Sequence, residues 1–101
     1  MKTTIEELVA FRAVVDTGSI TAAADQLGQT VSGISRALSR LEQKLGTTLM
    51  RRTTRRLELT EEGAAFLQRT RAILDAIDDA EEHMAARRHQ PAGRLLVDGA
   101  S

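Results

Sequence analysis

Small, hydroxyl-bearing and basic side chains are concentrated between residues 30 and 43. A helix that begins at residue 31 turns by about 100° per residue, which places these side chains on one face and the leucines on the other. Such side chains fit the major groove of double-stranded DNA, where they reach base edges and phosphates. A solvated face is the alternative, but serines are poor helix formers and several on one exposed face are unusual. The candidate DNA contacts here are Thr30, Val31, Ser32, Ser35, Arg36, Ser39 and Arg40, with Gln43 on the same face.

Two arginine pairs, at 51–52 and 55–56, flank a pair of threonines. The apolar residues on either side predict two short strands, which would place the arginines on a hairpin turn. Guanidinium groups on such a turn can contact phosphates or enter a narrow minor groove. A solvated loop is the alternative interpretation, and the neighbouring polar helix favours DNA contact. The candidate residues are Arg52, Thr53, Arg55 and Arg56.

Apolar residues recur at alternating spacings of four and three from Phe66 to Met84. This heptad pattern is typical of helices that pair along a seam. One copy of the chain offers little other surface to cover the seam, so we expect two copies to pair through it. Packing against a further C-terminal domain is the alternative. The candidate dimerisation residues are Phe66, Leu67, Ile73, Leu74, Ile77, Ala80 and Met84, and Thr70 lies in the same seam.

Charge is unevenly distributed along the 101 residues, although the formal net charge is zero. Residues 30–56 contain seven arginines and lysines and a single acidic residue, Glu42, whereas acidic residues predominate on both sides of this block. Because salt screens charges over about 10 Å, a polyanion responds to the local basic field and not to the net charge. The distribution therefore indicates a nucleic-acid contact in the middle of the sequence.

Composition disfavours several other classes of protein. The absence of cysteine rules out disulfides, thiolate catalysis and cysteine-bound zinc. Phe11 and Phe66 are the only Phe, Tyr or Trp residues, which gives little support for stacking on single-stranded nucleic acid. His83 and His89 have no matching ligand cluster, and no catalytic arrangement or phosphate-binding glycine loop is present, so neither a metal site nor an enzyme is expected. No apolar run is long enough for a membrane span, and no signal-peptide pattern is present.

Capping residues and glycines predict three helices in the first half of the chain, at about residues 4–16, 20–27 and 31–45. Ala24, Gly28 and Ile34 have the spacing that a helix-turn-helix requires. The small Ala24 allows close helix approach, and Gly28 permits the backbone of the turn. Ile34 would pack the recognition helix onto its neighbour. On spacing alone, a plain helical hairpin is the alternative.

The second half of the chain predicts a small β wing and a long helix. Strands at 49–50 and 57–59 would enclose the polar turn, and Thr60 is placed to cap a helix that continues to about residue 89, before Pro91. The predicted fold is therefore mainly α, with a winged helix-turn-helix of three helices and a two-stranded wing followed by a long dimerisation helix. The predicted divisions are residues 1–59 for DNA binding, 60–90 for the dimerisation helix, and 91–101 for the start of a connection to an absent effector-binding domain.

Nearly the whole chain resembles the N-terminal domain of LysR-type transcriptional regulators. The matching segments cover the helix-turn-helix, the wing and the start of the long helix in the family's order. They are FRAVV at 11–15, GSITAAA at 18–24, Leu27, ISR at 34–36, LE at 41–42, LG at 45–46, LMRRTTR at 49–55 and LTEEG at 59–63.

The resemblance implies a winged helix-turn-helix, a dimer formed through the linker helix, and tetramers on promoter DNA. It also implies a separate effector domain that takes a small-molecule inducer, with no cofactor in the DNA-binding domain or the linker helix. By position, the family's base contacts fall on Val31, Ser32, Ser35 and Arg36, and its minor-groove arginine falls on Arg55.

The sequence departs from the family's pattern at the start of the third helix. Val31 stands where the family commonly has Gln, and Ser32 followed by Gly33 stands where it commonly has Pro or a small residue. The phosphate-contacting groups are retained, so the departures concern which bases are recognised.

These patterns together predict a cytoplasmic, nucleoid-associated regulator that binds specific sites in double-stranded promoter DNA as a dimer. The rival hypothesis is a helical dimerisation module whose polar face contacts nothing. That rival predicts no binding to promoter DNA and no salt dependence, which distinguishes the two.

Overall fold

The computed structural model describes residues 2–52 and 57–88. This part of the chain contains four helices and a two-stranded antiparallel sheet. In chain order they are α1 (Ile5–Thr17), α2 (Ile20–Leu27), α3 (Val31–Leu45), β1 (Met50–Arg52), β2 (Leu57–Leu59) and α4 (Glu61–Arg88). The architecture is the predicted winged helix-turn-helix followed by a long helix.

The helix boundaries follow from side-chain caps. The predicted caps Ser19 and Thr30 are confirmed, because each hydroxyl accepts a hydrogen bond at 2.9 Å from the amide three residues further along. Such a bond satisfies an amide that has no partner within its own helix. α2 and α3 begin and end at the predicted residues. α1 begins one residue later than predicted, after its cap Thr4, and ends one residue later, at Thr17.

The turn between α2 and α3 depends on Gly28. Its φ of 67° is left-handed, a conformation that costs roughly 1–2 kcal/mol for a residue with a Cβ atom. The next amide, that of Gln29, donates to the carbonyl of Ala24 at 2.8 Å and closes the end of α2. Ala24 and Ile34 are 3% and 0% exposed within one cluster, so the predicted helix-turn-helix is confirmed.

Two hydrophobic clusters hold the elements together. The first lies among α1, α2 and α3 and consists mainly of alanines, which allow close helix approach: Ala10, Ala13, Val14, Ala23, Ala24, Ile34 and Ala37. The second joins α1 and α3 to the approach to β1 and to α4: Leu8, Phe11, Leu41, Leu49 and Leu74. The rings of Phe11 and Phe66 lie 5.8 Å apart beside the second cluster. The first half of α4 is therefore part of the same core as the recognition unit.

The apolar residues of α1 predict a broad core-facing side made of Ile5, Leu8, Val9, Phe11, Ala13 and Val15. This prediction is wrong in detail, because Ile5 is 41% exposed and Val14, which the pattern leaves out, is 1% exposed. α1 contacts α2, α3 and α4, so its buried residues lie on more than one side of the helix. Glu7 is 3% exposed in this setting, although it is charged. Leu45, expected on the inner face of α3, is 36% exposed because it lies at the helix end.

The first strand of the wing extends further along the chain than predicted, so the turn begins later. Arg51 and Arg52 were expected in the turn but belong to β1, where they lie opposite Glu58 and Leu57. Pairing extends over them because Leu57–Leu59 provides a partner for each residue of Met50–Arg52. The predicted turn residues Thr53, Arg55 and Arg56 lie outside the described residues, as do His89 and the predicted break and connection at 91–101.

The seam predicted along α4 is divided between two environments. Thr70 and Leu74 are 0% and 4% exposed within the chain's own core, and the half-buried Phe66, Leu67 and Ile77 pack beside them. Ile73 and Met84 are 43% and 58% exposed, and Ala80 is also exposed. The expectation that one copy cannot cover the seam is therefore wrong at Thr70 and Leu74, because this part of α4 lies against α1, whereas it holds for Ile73. No helix within residues 2–52 and 57–88 is long and apolar enough to cross a membrane.

Candidate nucleic-acid interface

The outer face of α3 presents small polar and basic side chains beside the helix-turn-helix turn. On the inner face, Ile34 and Leu41 are fully buried and fix the rotation of α3 about its own axis. Val31 is 47% exposed, and the remaining residues of the outer face are exposed except Ser35, which is half-buried. One shallow depression on this face is lined by Ser32, Ser35, Arg36, Ser39, Arg40 and Gln43. The predicted division of α3 into a core face and a polar face is therefore confirmed.

Thr30 fixes the start of this face. Its Oγ1 accepts from the amide of Gly33 at 2.9 Å, and a hydroxyl that accepts in this way can still donate its own proton to a ligand. A Cβ atom at Gly33 would lie 3.1 Å from the same Oγ1, so the cap leaves little room for a larger residue. Gly33 therefore has a local role next to Ser32 that does not require contact with DNA.

Glu7, on α1, is a buried charge that lies beside α3. Its Oε2 accepts from the Nζ of Lys44 at 2.8 Å and lies 3.7 Å from the Nε of Arg40. Burial by itself raises the pKa of Glu7, but the Lys44 ammonium, the bond from the Thr4 amide and the charge of Arg40 outweigh it and lower the pKa below its ordinary value. The carboxylate is therefore charged near neutral pH.

The ion pair with Glu7 separates the basic residues of 30–56 into one that is bound within the fold and others that are available to a ligand. The Lys44 side chain is 27% exposed and bound to Glu7, so its charge is largely committed to the fold. Arg40 is 61% exposed and holds Glu7 only at long range, which leaves it able to reach a phosphate. Arg36 and Arg51 are exposed. Sequence reasoning missed the burial of Glu7, although the Thr4 to Glu7 spacing of a capping box was present and is realised.

Glu42, the single acidic residue of the block, holds the approach to the wing. Its Oε2 accepts from the amides of Leu49 and Met50 at 2.8 and 3.2 Å. No sequence signal pointed to this role, because the bonds join residues that come together only when the loop at 46–49 folds back on α3.

The wing stands next to the polar face of α3. A cavity of about 290 Å³ separates Ser35, Leu38, Ser39 and Glu42 of α3 from Leu49, Met50 and Leu57 at the base of the wing, with Phe11 and Ile20 also in its wall. The predicted contact Arg52 ends β1, and Thr53, Arg55 and Arg56 follow outside the described residues. The structure thus brings the base of the wing to the helix face on which the other candidate contacts lie. The described residues contain no group of three or more His, Asp or Glu that could hold a metal ion.

Comparisons with known proteins agree with this architecture. Residues 5–64 match the family of bacterial regulatory helix-turn-helix proteins of the lysR type. The chain is 49% identical over 100 residues to the HTH-type transcriptional regulator CrgA of Neisseria meningitidis, and the match covers 99% of this chain and 33% of CrgA. It spans about a third of the length of the curated relatives that it matches.

Solved structures of DNA complexes superimpose on the chain. The DNA-binding domain of BenM in complex with catB site 1 DNA gives a TM-score of 0.82 at 31% identity, covering 87% of this chain and 99% of that one. The complex of the CbnR DNA-binding domain with DNA gives 0.77 at 34% identity, covering 85% and 99%.

Proposed function

The chain belongs to the LysR family of bacterial regulatory helix-turn-helix proteins, and from that premise we propose that it binds specific sites in double-stranded promoter DNA. α3 would enter the major groove, and the wing would reach the adjacent minor groove. The observation that carries this proposal is the outer face of α3, where hydroxyls and guanidinium groups are exposed over a fully packed inner face.

The proposed contacts fall into two groups with different tasks. Base edges and phosphates in the major groove would be met from α3, with Arg36 as the main cation and Val31 at the first helical position. The wing arginines would meet phosphates and the minor groove, with Arg55 in the groove itself. The proposed contact residues are Thr30, Val31, Ser32, Ser35, Arg36, Ser39, Arg40, Arg52, Thr53, Arg55 and Arg56.

The test begins with selection of bound fragments from a random duplex library, followed by affinity measurements on the selected site. Arg36→Ala is expected to weaken binding by about five-fold or more, since a contact to DNA is worth roughly 1–3 kcal/mol. Arg69→Ala removes an arginine that is likewise exposed, on α4, and serves as the matched control. Failure of the library to converge, with salt-independent binding, would favour the rival dimerisation module.

We also propose that two copies pair through α4. The supporting observation is the exposed apolar stripe formed by Ile73, Ala80 and Met84 on one side of a helix whose other Phe, Leu and Ile residues are already buried or half-buried. Residues 78–88 extend by about 16 Å beyond the last core contact, because a helix rises 1.5 Å per residue. Phe66, Leu67 and Ile77 are half-buried and would contribute at the edge of the interface, whereas Leu74 acts from within the core.

The dimer is tested by placing charges on the stripe. Ile73→Glu combined with Met84→Glu is expected to convert a dimer to a monomer in light scattering, because paired carboxylates would be desolvated at the interface. Gln68→Glu combined with Ala86→Glu is the matched control, since both positions are exposed and lie on the opposite side of α4. A wild-type chain that stays monomeric at high concentration would refute the dimer.

For the whole protein, we propose the organisation suggested by relatives that are about three times as long. Residues 1–59 would form the DNA-binding domain and 60–90 the linker helix, with 91–101 leading to an effector domain that binds a small-molecule inducer. The full-length protein would act at the nucleoid in the cytoplasm as a tetramer. No feature of the described residues calls for a cofactor in this part. Sedimentation of the full-length protein with and without its operator would test the tetramer.

A further inference from the structure

The backbone N–H of Leu49 is held from the recognition helix. Glu42, in the last part of α3, accepts from the amide of Leu49 at 2.8 Å and from that of Met50 at 3.2 Å. Leu49 is 2% exposed within the second hydrophobic cluster, so its backbone amide is largely shielded from water. The chain entering the wing is therefore tied directly to α3.

The carbonyl side of Leu49 is held from the start of α4. Thr60 donates its backbone amide to the Leu49 carbonyl at 3.0 Å. The hydroxyl of Thr60 lies 2.7 Å from the carbonyl of Thr48 and 3.2 Å from that of Leu49, and it accepts from the amide of Gly63 at 2.9 Å. One threonine thus caps α4 and binds it to the same short segment that Glu42 holds.

At Gly63, the junction between Leu49 and the start of α4 leaves no room for a side chain. A Cβ atom at this position would overlap the carbonyl oxygen of Leu49 and lie 2.9 Å from its carbonyl carbon. Both atoms belong to the backbone, so no side-chain rotation would relieve the overlap. The first turn of α4 therefore lies directly against the backbone of Leu49, which is consistent with a fixed angle rather than a hinge.

We propose that Glu42 and Thr60, bonded to opposite sides of Leu49, are positioning residues that fix the angle between α3 and α4 and so set the spacing of the two half-sites. The proposal rests on the proposed dimer, in which α4 joins the two recognition units. A 28-residue helix is about 42 Å long, so a tilt of about 5° displaces its far end by about 3.7 Å, close to the roughly 3.4 Å rise of one base pair. A change of a few degrees in the angle at the junction is therefore comparable to one base pair of half-site spacing.

The variants separate positioning from general stability. Thr60→Val removes the hydroxyl, whereas Thr60→Ser keeps it and is expected to rescue the wild-type behaviour. Glu42→Leu removes the acceptor, whereas Glu42→Gln keeps one. Thr70→Val is the matched control, because the Thr70 hydroxyl is fully buried but bonds only to the carbonyl of Phe66 within α4.

The first readout is the affinity for selected operators in which the half-site spacing is changed by one base pair. Wild type is expected to prefer one spacing, and Thr60→Val and Glu42→Leu are expected to reduce that preference by about ten-fold, which corresponds to about 1.4 kcal/mol. Thr60→Ser, Glu42→Gln and Thr70→Val should keep it. An unchanged preference in Thr60→Val and Glu42→Leu, or an equal loss in Thr70→Val, would overturn the proposal.

The second readout does not depend on DNA or on the dimer. The chain has no cysteine, so Gln43→Cys on α3 and Glu82→Cys on α4, both exposed, allow a pair of spin labels to be attached. Labelled chain diluted in excess unlabelled chain reports the intrachain distance distribution by pulsed electron paramagnetic resonance. A narrow distribution that broadens in Thr60→Val but not in Thr70→Val supports a fixed angle. A distribution that is broad in wild type, or unchanged in Thr60→Val, refutes it even if the dimer fails.

Discussion

Val31 occupies the first turn of α3, next to its cap Thr30, and is 47% exposed. Helix-turn-helix proteins touch base edges from this position. Val has no donor or acceptor, so it cannot form the paired hydrogen bonds that Gln makes to adenine, which are worth roughly 1–3 kcal/mol of discrimination. Its exposure also argues against the alternative in which the side chain packs inward against the turn.

We expect Val31 to prefer thymine weakly, through contact of its methyl groups with the C5-methyl of the base. Such a contact contributes about 0.8 kcal/mol. The measurement is the affinity, at fixed salt, of operators in which each thymine of a half-site is replaced in turn by uracil. Uracil at one position should lower the affinity of the wild type and should leave the affinity of Val31→Gly unchanged. A scan in which no uracil substitution matters would show that Val31 does not contact a methyl group.

Glu7 makes stability depend on pH in the acid range. Its folded-state pKa is lowered, so its contribution is complete above the unfolded pKa of about 4.3 and is lost as the pH falls through the lower folded value. Glu7→Gln is expected to lower the free energy of unfolding by about 1–3 kcal/mol at pH 7, with the difference from wild type shrinking below about pH 4. Gln keeps an acceptor for the Thr4 amide, so the helix cap is retained.

The Glu7 effect is measured by urea unfolding followed by circular dichroism at several pH values and equal protein concentration. Glu6→Gln is the control, because Glu6 is exposed in the same helical turn and a surface change should stay within about 0.5 kcal/mol. A Glu7→Gln deficit that is constant between pH 7 and pH 3 would contradict the assignment.

At the scale of the elements, the glycines in the turn and at the start of α4 are required for different physical reasons. A Cβ atom at Gly28 meets nothing within 4 Å, so its substitution is opposed only by backbone conformation. A Cβ atom at Gly63 meets the backbone of Leu49, so its substitution requires α4 to move. Gly28→Ala should therefore cost about 1–2 kcal/mol, and Gly63→Ala should cost about 3 kcal/mol.

Urea unfolding of the two variants at one protein concentration checks this order. Gly28→Asn is a useful companion, because Asn tolerates the left-handed conformation better than Ala and should recover part of the loss. Equal losses in Gly28→Ala and Gly63→Ala would mean that α4 adjusts its position without much strain.

The elements also differ in how far local sequence specified them. α2 and α3 have the predicted bounds because hydroxyl caps and left-handed glycines act within a few residues of each helix end. The wing turn was placed too early, since the pairing of Arg51 and Arg52 depends on partners in β2. The α4 seam was assigned as one surface because a heptad pattern does not reveal which of its residues lie against α1.

At the scale of the whole molecule, the electrostatic field is set by which basic residues are already paired. Lys44 is bound to Glu7, whereas Arg36 is exposed on the outer face of α3. Each phosphate neutralised by the protein adds about 0.9 to the slope of log affinity against log salt. Arg36→Gln is expected to reduce that slope by about 0.9, and Lys44→Gln is expected to leave it unchanged.

Affinity titrations between low and moderate salt measure the slope for each variant, under conditions in which circular dichroism shows that it is folded. A reduced slope in Lys44→Gln would mean that the Glu7 pair opens on DNA and that Lys44 contacts a phosphate. An unchanged slope in Arg36→Gln would place the phosphate contacts elsewhere on the domain.

The sequence by itself determined the helix boundaries of the helix-turn-helix, the two faces of α3 and the family, because caps, glycines and apolar periodicity act over one or two turns. Only the tertiary structure decided which charged side chains pair with each other and which apolar residues of α4 are buried. Glu7 and Lys44 are 37 residues apart, and Asp16 and Arg71, which pair at 2.6 Å between α1 and α4, are 55 apart. Such partners are chosen by the packing of whole elements, and the same packing buries Leu74 while it leaves Ile73 exposed.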